Sequence, residues 1–383
     1  MKNQSVVIIG SGLAGYLCAK EFRKLDTNTP LEIITSDNGT FYSKPSLSTA
    51  LTNKKSVEEL AVYSADEMAS QLRAKIHTAM RVKCMDPHSQ TIITPTKKIG
   101  YQKLVMACGS QAVAPSVKGD AISDIHSVNN LADYGKFRKW INNKKHIAVL
   151  GAGLVGCEFA NDLVNTGFTI EVIAPDVYPL AKFVPYRVGY VLQKALSEKG
   201  VNWHFKKLAT AVNHDQDRYA LTLSDSSTLT VDGVFSAIGI CANCDLARST
   251  GLDCRRGIKV DRHLKTSIEN IYALGDCAEV AGEMLQYIAP LLQSVRALSR
   301  YFVGDKNPVH YPSMPIIVKT PACAIAVCKP PEDIEGEWQY SGEGLHQSAL
   351  FYDCWGKLRG FALLGNHMKQ RISLTQQLPP VFE

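Results

Sequence analysis

Six glycines in two matching patterns are the residues of this chain whose spacing most clearly predicts chemistry. Residues 5–15 read SVVIIGSGLAG and residues 146–156 read HIAVLGAGLVG, so G-x-G-x-x-G occurs twice. The first glycine permits a tight turn, the second lets the backbone approach a pyrophosphate, and the third lets a helix pack on a strand. Glycines also serve turns for steric reasons alone, but two copies in one context predict two dinucleotide sites. The predicted phosphate-turn residues are Gly10, Ser11, Gly12, Leu13, Ala14 and Gly15 in the first copy, and Gly151, Gly153 and Gly156 in the second.

Both patterns lie in sequence that predicts strand, turn, helix and strand in that order. An aliphatic run precedes each glycine group, and apolar residues at helical spacing follow it. A second aliphatic run then comes at residues 31–35 in the first copy and 169–174 in the second. In such a βαβ unit the positive end of the helix faces the phosphates. The predicted fold class is therefore α/β, with two Rossmann-like dinucleotide-binding domains.

The residues after the second strand of each unit bear on which nucleotide binds there. Thr35 ends the first of these strands, and Asp37 follows close behind. Asp37 is either a ribose ligand or a turn aspartate before Asn38-Gly39, and the sequence favours neither. In the second unit Asp176 follows the strand and the nearest basic residue is Lys182. A 2′-phosphate would require an arginine there, so we expect NADH rather than NADPH.

Composition and charge exclude several classes of protein. The 383 residues, 45% of them hydrophobic, suffice for two or three domains. The net charge of +6 comes from scattered basic doublets, which disfavours nucleic acid and suits a small acidic partner. No apolar run reaches the length of a membrane span, and no export signal precedes the first glycine motif. We therefore expect a cytoplasmic protein whose eleven cysteines are reduced, and the histidine spacing predicts no metal site.

Further segments resemble known flavoproteins. Residues 101–110 (YQKLVMACGS), 234–240 (VFSAIGI) and 271–278 (IYALGDCA) resemble segments of the two-dinucleotide flavoprotein reductases, in the same order. Residues 41–49 (FYSKPSLST), 156–163 (GCEFANDL) and 318–323 (VKTPAC) more closely resemble the rubredoxin–NAD reductase family. The resemblance implies bound FAD, NADH as hydride donor, and rubredoxin, a small acidic iron protein, as partner.

The same resemblance assigns roles to individual side chains. Lys44 would lie beside flavin N5, and Glu158 would point back toward Lys44 and the nicotinamide. These two are the candidate catalytic residues, and both also count as cofactor contacts. Asp276 would bind the ribityl chain of FAD. The remaining implied cofactor contacts, beside Thr35, Asp37 and the glycine turns, are Val82, Ala107, Ile288 and Lys319.

The resemblance also implies how the chain divides into domains. A discontinuous FAD-binding domain would comprise residues 1–113 and 241–314, with the NAD-binding domain inserted at 114–240. Residues 315–383 would form a small β-rich α+β domain, with strands near 316–318, 322–328, 350–354 and 358–364 and a closing helix at 366–378. A helix at 286–302 would direct its positive amino-terminal end at the flavin, where the reduced ring carries negative charge.

The route by which electrons leave is predicted from missing thiols. Disulfide reductases of this superfamily carry C-x4-C near residues 42–47, but that stretch here has no cysteine. The one C-x-x-C, Cys241 to Cys244, lies elsewhere and is interpreted as structural or incidental. Electrons are therefore expected to pass from flavin directly to rubredoxin iron. The alternatives are a ferredoxin reductase of an oxygenase system, a flavorubredoxin reductase and, more distantly, a non-enzymatic flavin and NAD sensor.

Overall fold

The first part of the chain builds most of one parallel sheet. The computed structural model describes residues 5–382. Its elements up to residue 113 are strands β1 (Val6–Ile9), β2 (Leu31–Ile34), β3 (Phe41–Tyr42), β4 (Ala61–Tyr63), β5 (Lys75–His77), β6 (Cys84–Asp86), β7 (Thr91–Ile93), β8 (Lys98–Gly100), β9 (Lys103–Met106) and β10 (Ser110–Ala112), helices α1 (Leu13–Leu25), α2 (Val57–Leu60) and α3 (Ala65–Leu72), and a 3-10 helix at Lys44–Thr49. All four residues of β1 are buried, because the sheet is covered on both faces.

The middle of the chain repeats this plan around a second sheet. Its elements are a 3-10 turn at Ile122–Asp124, helices α4 (Leu131–Trp140), α5 (Leu154–Val164) and α6 (Tyr186–Ser197), and strands β11 (His146–Leu150), β12 (Thr169–Ala174), β13 (Val201–Phe205), β14 (Ala209–Asp215), β15 (Arg218–Leu223), β16 (Thr228–Val231) and β17 (Gly233–Ser236). The order β13-β12-β11-β17 forms a parallel sheet, and β14-β15-β16 form an antiparallel one. The second predicted Rossmann-like unit is confirmed.

The chain then returns to the first sheet. The next elements are strands β18 (Ile240–Ala242), β19 (Ile258–Val260), β20 (Ile271–Ala273) and β21 (Ala278–Val280), helices α7 (Asp245–Ser249) and α8 (Ile288–Phe302), and a 3-10 turn at Gly275–Cys277. Strand β20 pairs with β9, so the complete first sheet has the order β20-β9-β1-β2-β5. The two crossings between units run side by side as β10 and β18. The predicted discontinuous first domain is therefore observed, while the domain boundaries themselves stay a prediction.

The carboxy-terminal region is a separate antiparallel sheet. Its elements are strands β22 (Ile316–Val318), β23 (Ile325–Cys328), β24 (Gly336–Glu343), β25 (His346–Asp353) and β26 (Leu358–Leu364), a 3-10 helix at Gly365–Gln370 and the short helix α9 (Arg371–Thr375). The strand order is β22-β23-β26-β25-β24. Strand β24 was not predicted, because this edge strand is mostly exposed and polar. The closing helix is shorter than expected, since its first two turns are 3-10.

Within the described residues, the model contains no helix that combines the length and the apolar character needed to cross a bilayer. The same residues contain no group of three or more His, Cys, Asp or Glu side chains placed to hold a metal ion.

Candidate flavin and nicotinamide site

The two glycine turns have the same geometry and leave the same space. Gly10 and Gly151 have φ of +112° and +105°, and a Cβ on either would collide with a backbone carbonyl at the end of a neighbouring strand. Gly12 and Gly153 have ordinary negative φ, and a Cβ there would meet no protein atom within 4 Å. The second glycine of each turn therefore borders open space that a side chain would fill. This geometry fits the approach of a pyrophosphate to both turns.

The third glycine and its neighbours attach each helix to its strand. A Cβ on Gly15 or Gly156 would collide with the carbonyl of the first glycine of its own motif. Leu13 begins α1, and a Cβ on Gly275 would lie 2.7 Å from the Cβ of Ala14. The segment before Asp276 therefore lies against the first glycine turn, although the two are distant in sequence.

Hydroxyl groups connect the first glycine turn to the end of β2. Ser11 Oγ donates to Thr35 Oγ1 at 2.8 Å and to Asp37 Oδ1 at 3.0 Å. Thr35 Oγ1 also donates to Asp37 Oδ1 at 2.7 Å, as does the backbone N–H of Gly39 at 2.9 Å. Asp37 is thus a turn aspartate that also lies against the phosphate turn. Its contact with ribose stays a prediction.

The segment that carries Val82 lies next to this network. The backbone N–H of Ala79 donates to the carbonyl of Asp37 at 2.7 Å, and that of Met80 donates to the carbonyl of Thr35 at 2.8 Å. Val82 is partly buried against the hydrophobic core that surrounds the first parallel sheet. Its place two residues later suits the predicted contact with adenine, which stays a prediction.

Lys44 and Asp276 lie together at the carboxyl edge of the first sheet. Lys44 Nζ is 3.4 Å from Asp276 Oδ2, and Ser110 Oγ donates to the same carboxylate oxygen at 2.9 Å. Gln286 Nε2 donates to the backbone carbonyl of Asp276 at 2.9 Å. Ala107 follows β9 on the same edge and is buried. Two predicted flavin contacts, Lys44 and Asp276, therefore form an ion pair that Ser110 also contacts, and Gln286 holds the backbone of Asp276.

Ile288 is the first residue of α8, and 38% of its surface is exposed. The helix begins close to Asp276, because Gln286 binds the Asp276 backbone two residues before it. An exposed apolar residue and a helix amino terminus at this edge fit a flat, electron-rich ring. Contact between Ile288 and the flavin stays a prediction.

Glu158 lies at a junction of three parts of the chain. It belongs to α5 of the second unit, and its side chain is only 8% exposed. Ser48 Oγ of the first unit donates to Glu158 Oε2 at 2.5 Å, and Lys319 Nζ of the carboxy-terminal region lies 3.0 Å from the same oxygen. The backbone N–H of Lys319 donates to Glu158 Oε1 at 3.0 Å. Lys319 Nζ also donates to Ser48 Oγ at 2.8 Å and to the carbonyl of Pro45.

The orientation of Glu158 differs from the expectation. We expected its carboxylate to point toward Lys44, but it binds Lys319 and Ser48, while Lys44 binds Asp276. The reason is charge pairing: each lysine neutralises a different carboxylate, and a buried carboxylate needs a partner at close range. The two candidate catalytic residues therefore lie in adjacent clusters, and their catalytic roles stay predictions.

The end of β12 has basic neighbours that the sequence order concealed. The backbone N–H of Lys206 donates to the carbonyl of Asp176 at 3.0 Å, and that of Lys207 donates to the carbonyl of Ala174 at 3.1 Å. The Lys207 ammonium is paired with Asp225 at 2.5 Å. Lysine is a point charge and lacks the bidentate fork that suits a 2′-phosphate, so the expectation of NADH is retained.

The cysteines near the site are free thiols. Cys241 is exposed, whereas Cys244 is buried, so the two ends of the C-x-x-C lie in different environments. Burial, followed by the effect of the neighbouring Cys254, raises the pKa of Cys244 to about 11. Burial raises the pKa of Cys277 to about 12. Thiols with such pKa values are protonated at neutral pH and make poor nucleophiles.

Sequence reasoning missed four polar residues that shape the site. Ser48 and Ser110 lie inside the segments KPSLST and ACGS, which were already recognised as similar to known reductases. Their position in these motifs could have identified them as site residues. Asn129, whose Nδ2 donates to the carbonyl of Ser110 at 2.6 Å, and Gln286 had no such signal. Their partners are 19 and 10 residues away in sequence, in other elements.

Comparison with known proteins agrees with this architecture. Residues 4–296 match the family described as pyridine nucleotide-disulphide oxidoreductase, and residues 308–378 match the rubredoxin binding C-terminal domain. A rubredoxin-NAD(+) reductase of Alcanivorax borkumensis is 42% identical, over 98% of this chain and 99% of the relative. A nitric oxide reductase FlRd-NAD(+) reductase of Aliivibrio fischeri is 34% identical, over 97% of this chain and 98% of the relative.

Among solved structures, the ferredoxin reductase for the CYP199A2 system of Rhodopseudomonas palustris superposes with a TM-score of 0.89. It is 24% identical, and the match covers 98% of this chain and 96% of that one. This likeness concerns the fold alone. The chain therefore belongs to the pyridine nucleotide-disulphide oxidoreductase family, with a rubredoxin binding C-terminal domain after its two dinucleotide units.

Proposed function

We propose that this chain is an FAD-dependent reductase that takes hydride from NADH and delivers single electrons to rubredoxin. The observation that carries the proposal is the ion pair between Lys319 and Glu158. Lys319 comes from the domain that matches rubredoxin binding proteins, and Glu158 lies two residues after the glycine turn of the second unit. The acceptor domain is thus in direct contact with the predicted nicotinamide site.

The first unit is the FAD site of this proposal. The turn at Gly10 to Gly15 would hold the pyrophosphate, and the Ser11–Thr35–Asp37 hydroxyl network would hold the adenosine ribose. Asp276 and Lys44 would contact the ribityl chain and the ring. Bound FAD supplies the conversion of a two-electron hydride donor into two one-electron transfers. The open space at Gly12 supports a pyrophosphate at this turn, because among its three glycines only Gly12 would carry a Cβ that meets no protein atom.

The second unit is the NADH site. Glu158 is held by Ser48 and Lys319, so its carboxylate is fixed in position before substrate arrives. Such preorganisation reduces the cost of orienting a bound nicotinamide. Lys319 in turn neutralises this carboxylate at the place where the acceptor domain meets the two nucleotide units. Glu158 and Lys319 would therefore orient the donor, and neither needs to transfer a proton.

Rubredoxin is favoured as acceptor over the other candidates weighed from the sequence. The ferredoxin reductase shares only the fold with this chain, whereas the Alcanivorax rubredoxin-NAD(+) reductase is similar along its whole length. Disulfide reductases of the superfamily carry a thiol pair near residues 42–47, where this chain has Lys44 and no cysteine. Electrons would therefore not leave the flavin through a disulfide. A net charge of +6 suits a small acidic partner.

A second candidate acceptor is the rubredoxin-like domain of a nitric-oxide-reducing flavoprotein. The full-length similarity to the Aliivibrio reductase favours it. Both acceptors present the same iron–sulfur chemistry, so the site described above would serve either.

We place this activity in the cytoplasm. The support is that all eleven cysteines are free thiols. Reduced cysteines in this number are typical of a reducing compartment.

The proposal is tested with an acceptor panel. Purified protein saturated with FAD is mixed anaerobically with NADH, and loss of flavin absorbance is followed in a stopped-flow instrument. Oxidised rubredoxin, a [2Fe–2S] ferredoxin and a flavorubredoxin are then added separately. We expect NADH to bleach the flavin and rubredoxin to restore it fastest. Recovery fastest with ferredoxin would overturn the acceptor assignment, and failure of NADH to bleach bound flavin would overturn the activity.

A further inference from the structure

A cavity of about 260 Å³ lies at the opposite end of the first sheet from its glycine turn. Lys103, the first residue of β9, and Asn270, which precedes β20, both line it. The glycine turn follows the carboxyl end of a strand, whereas this cavity borders the amino ends of its neighbours. We call it the lysine cavity, because Lys103, Lys265 and Lys306 line it together with Tyr301. It is separate from both predicted nucleotide sites.

The three lysines gather around the end of α8. Lys306 Nζ lies 4.0 Å from the centre of the Tyr301 ring, and Lys265 Nζ lies 5.1 Å from the same point. Lys103 Nζ donates to the carbonyl of Phe302 at 2.9 Å, so it stabilises the negative end of the helix. In the described part of the chain, the other two ammonium groups donate to no carbonyl of α8. Capping of the helix therefore does not explain their position.

The lysine cavity holds more positive charge than its surroundings neutralise. Within residues 5–382, no carboxylate oxygen lies within 4.0 Å of any of the three ammonium groups. Among the described residues that line the cavity, Glu269 is the only acid. Glu269 and Asp261 act on Lys265 through space, and both raise its pKa less than its hydrogen bond to Tyr301 does. Three ammonium groups thus share one cavity with a single carboxylate.

The ionisable groups of the cavity respond to this excess of charge. A hydrogen bond from Lys265 is the largest of the effects that lower the pKa of Tyr301, and Lys306 adds to it. Burial, followed by the charge of Lys306, lowers the pKa of Lys103. Negative charge is therefore favoured beside Lys265 and Lys306, while a further positive charge is disfavoured.

We propose that the lysine cavity binds the phosphate group of a small anion, with Lys265, Lys306 and the Tyr301 hydroxyl as donors. Ammonium groups form short, charge-assisted hydrogen bonds to phosphate oxygens, and a phenol can donate one more. The volume of about 260 Å³ suits phosphate or a short phosphate ester and is too small for another dinucleotide. The inference goes beyond the proposed function, because no residue of either glycine turn lines this cavity.

The experiment measures phosphate binding by isothermal titration calorimetry at constant ionic strength. The protein is first saturated with FAD and NAD⁺, so that both glycine turns are occupied. The probes are inorganic phosphate and glycerol 3-phosphate, and the tighter of the two distinguishes free phosphate from a phosphate ester as the ligand. We expect Lys265→Gln and Lys306→Gln each to weaken binding about tenfold, the effect of one lost charge-assisted bond.

Lys259 provides a matched control, because it is an exposed lysine that lines the adjacent cavity. Lys259→Gln removes the same charge and should weaken phosphate binding by less than about twofold. Equal weakening in all three variants would overturn the inference, since it would show a general effect of surface charge. Absence of binding by both probes would overturn it as well.

Ionisation of Tyr301 gives a second readout at the site itself. Its pKa is obtained from the difference in tyrosinate absorbance between wild type and Tyr301→Phe during a pH titration. Bound phosphate neutralises the lysines that lower this pKa, so phosphate should move the pKa upward. A pKa that phosphate leaves unmoved would overturn the inference. Failure of NADH to bleach the flavin of wild type would count against the proposed function alone.

Discussion

The two dinucleotide units share a frame and differ in what is attached to it. In each unit, a glutamate on the second strand lies opposite the first-strand residue that comes three positions before the first glycine. The carboxylate of this glutamate binds a histidine on the neighbouring strand of the sheet. Glu32 Oε2 is 2.7 Å from His77 Nε2, and Glu171 Oε2 is 2.7 Å from His204 Nε2. These pairs lie within the sheets, away from the glycine turns. Equivalent polar pairs in both units are therefore part of the repeated scaffold, and function is decided elsewhere.

The difference begins two residues after the last glycine of each motif. Leu17 occupies that position in α1 and packs against the hydrophobic core that surrounds the first parallel sheet. Glu158 occupies it in α5, whose residues from Gly156 to Val164 are all buried. Two further polar residues of α5 also bond across unit boundaries: Asn161 Oδ1 accepts from the backbone of Ala322, and Asp162 accepts from the backbone of Thr52.

The same helix position thus serves packing in one unit and connection in the other. Only five of the thirteen residues of α1 are buried, whereas α5 is buried from Gly156 onward and is bonded to both other parts of the molecule. A helix so enclosed must satisfy its polar groups with neighbours, since water does not reach them. The glycine pattern therefore identifies a nucleotide site in both units. The polar residues of the following helix distinguish α5, which connects domains, from α1, which packs within its own domain.

The largest effects are expected when each glycine turn is blocked separately, which tests whether the two turns bind different nucleotides. Gly12→Val and Gly153→Val place a side chain in open space at an ordinary φ, so both proteins should fold. Losing two charge-assisted bonds to phosphate should weaken dinucleotide binding on the order of 100-fold. Gly12→Val should elute colourless from gel filtration, whereas Gly153→Val should stay yellow but resist bleaching by NADH. The same phenotype in both variants would contradict the assignment of separate nucleotides.

The next largest effect is expected at the position that distinguishes the two helices. Glu158→Gln removes the charge that Lys319 neutralises, so the rate of flavin reduction by NADH should fall about tenfold, with FAD still bound. Stopped-flow absorbance measures that rate. Asp162→Asn, one turn later on α5, is the control and should reduce flavin at nearly the wild-type rate. Equal slowing in both variants would indicate a general disturbance of the helix.

A smaller effect should come from making the first turn resemble the second. Ser11 donates to Thr35 and Asp37, and the second turn has the buried Ala152 at the corresponding position. Ser11→Ala should weaken FAD binding about threefold to tenfold through loss of the hydroxyl network, as measured by fluorescence titration. The reverse change, Ala152→Ser, is the control and should leave FAD binding unaltered. An unchanged FAD affinity in Ser11→Ala would remove the network from the site.

The last effect concerns the stability of the shared frame, leaves both nucleotide sites unchanged and depends on pH. Burial raises the pKa of Glu171, but hydrogen bonds from His204, His146 and Asn202 outweigh it and leave the pKa below its ordinary value of 4.5. A lowered folded-state pKa contributes stability above the unfolded-state pKa, and that stability is lost as pH falls through the folded-state value. Glu171→Gln should therefore be less stable than wild type at pH 7, by about 1–2 kcal/mol.

The gap between Glu171→Gln and wild type should narrow as pH falls below about 4.5 and close as pH passes the lower folded-state pKa, because the carboxyl protonates first in the unfolded chain and then in the folded protein. Thermal melts across this range test the sign. Glu32 has one histidine partner, whereas Glu171 has two histidines and the amide of Asn202. The loss of stability at pH 7 should therefore be smaller in Glu32→Gln than in Glu171→Gln. A gap that widens on the acid side would show that the charged form of Glu171 is not what stabilises the fold.

The architecture of this protein and the nature of its cofactor turns follow from signals in the amino-acid sequence. Both glycine patterns and the strands that flank them were predicted, because tight turns and aliphatic periodicity are local signals. The discontinuous first domain was expected only from the resemblance to known flavoprotein reductases. The strands of the carboxy-terminal sheet at 316–318 and 358–364 agree with prediction to the residue. Strand β24 escaped, because an exposed edge strand lacks the buried alternation on which the prediction depends.

The contacts between distant side chains could be seen only in the folded molecule. Glu158 and Lys319 are 161 residues apart, and Ser48 is 110 residues from Glu158, yet the three form one cluster. Lys44 therefore binds Asp276, which is 232 residues away, in place of the glutamate expected for it. Choices between nearby partners of opposite charge depend on angstrom-scale distances and on burial, and both arise only when separately folded units pack against one another.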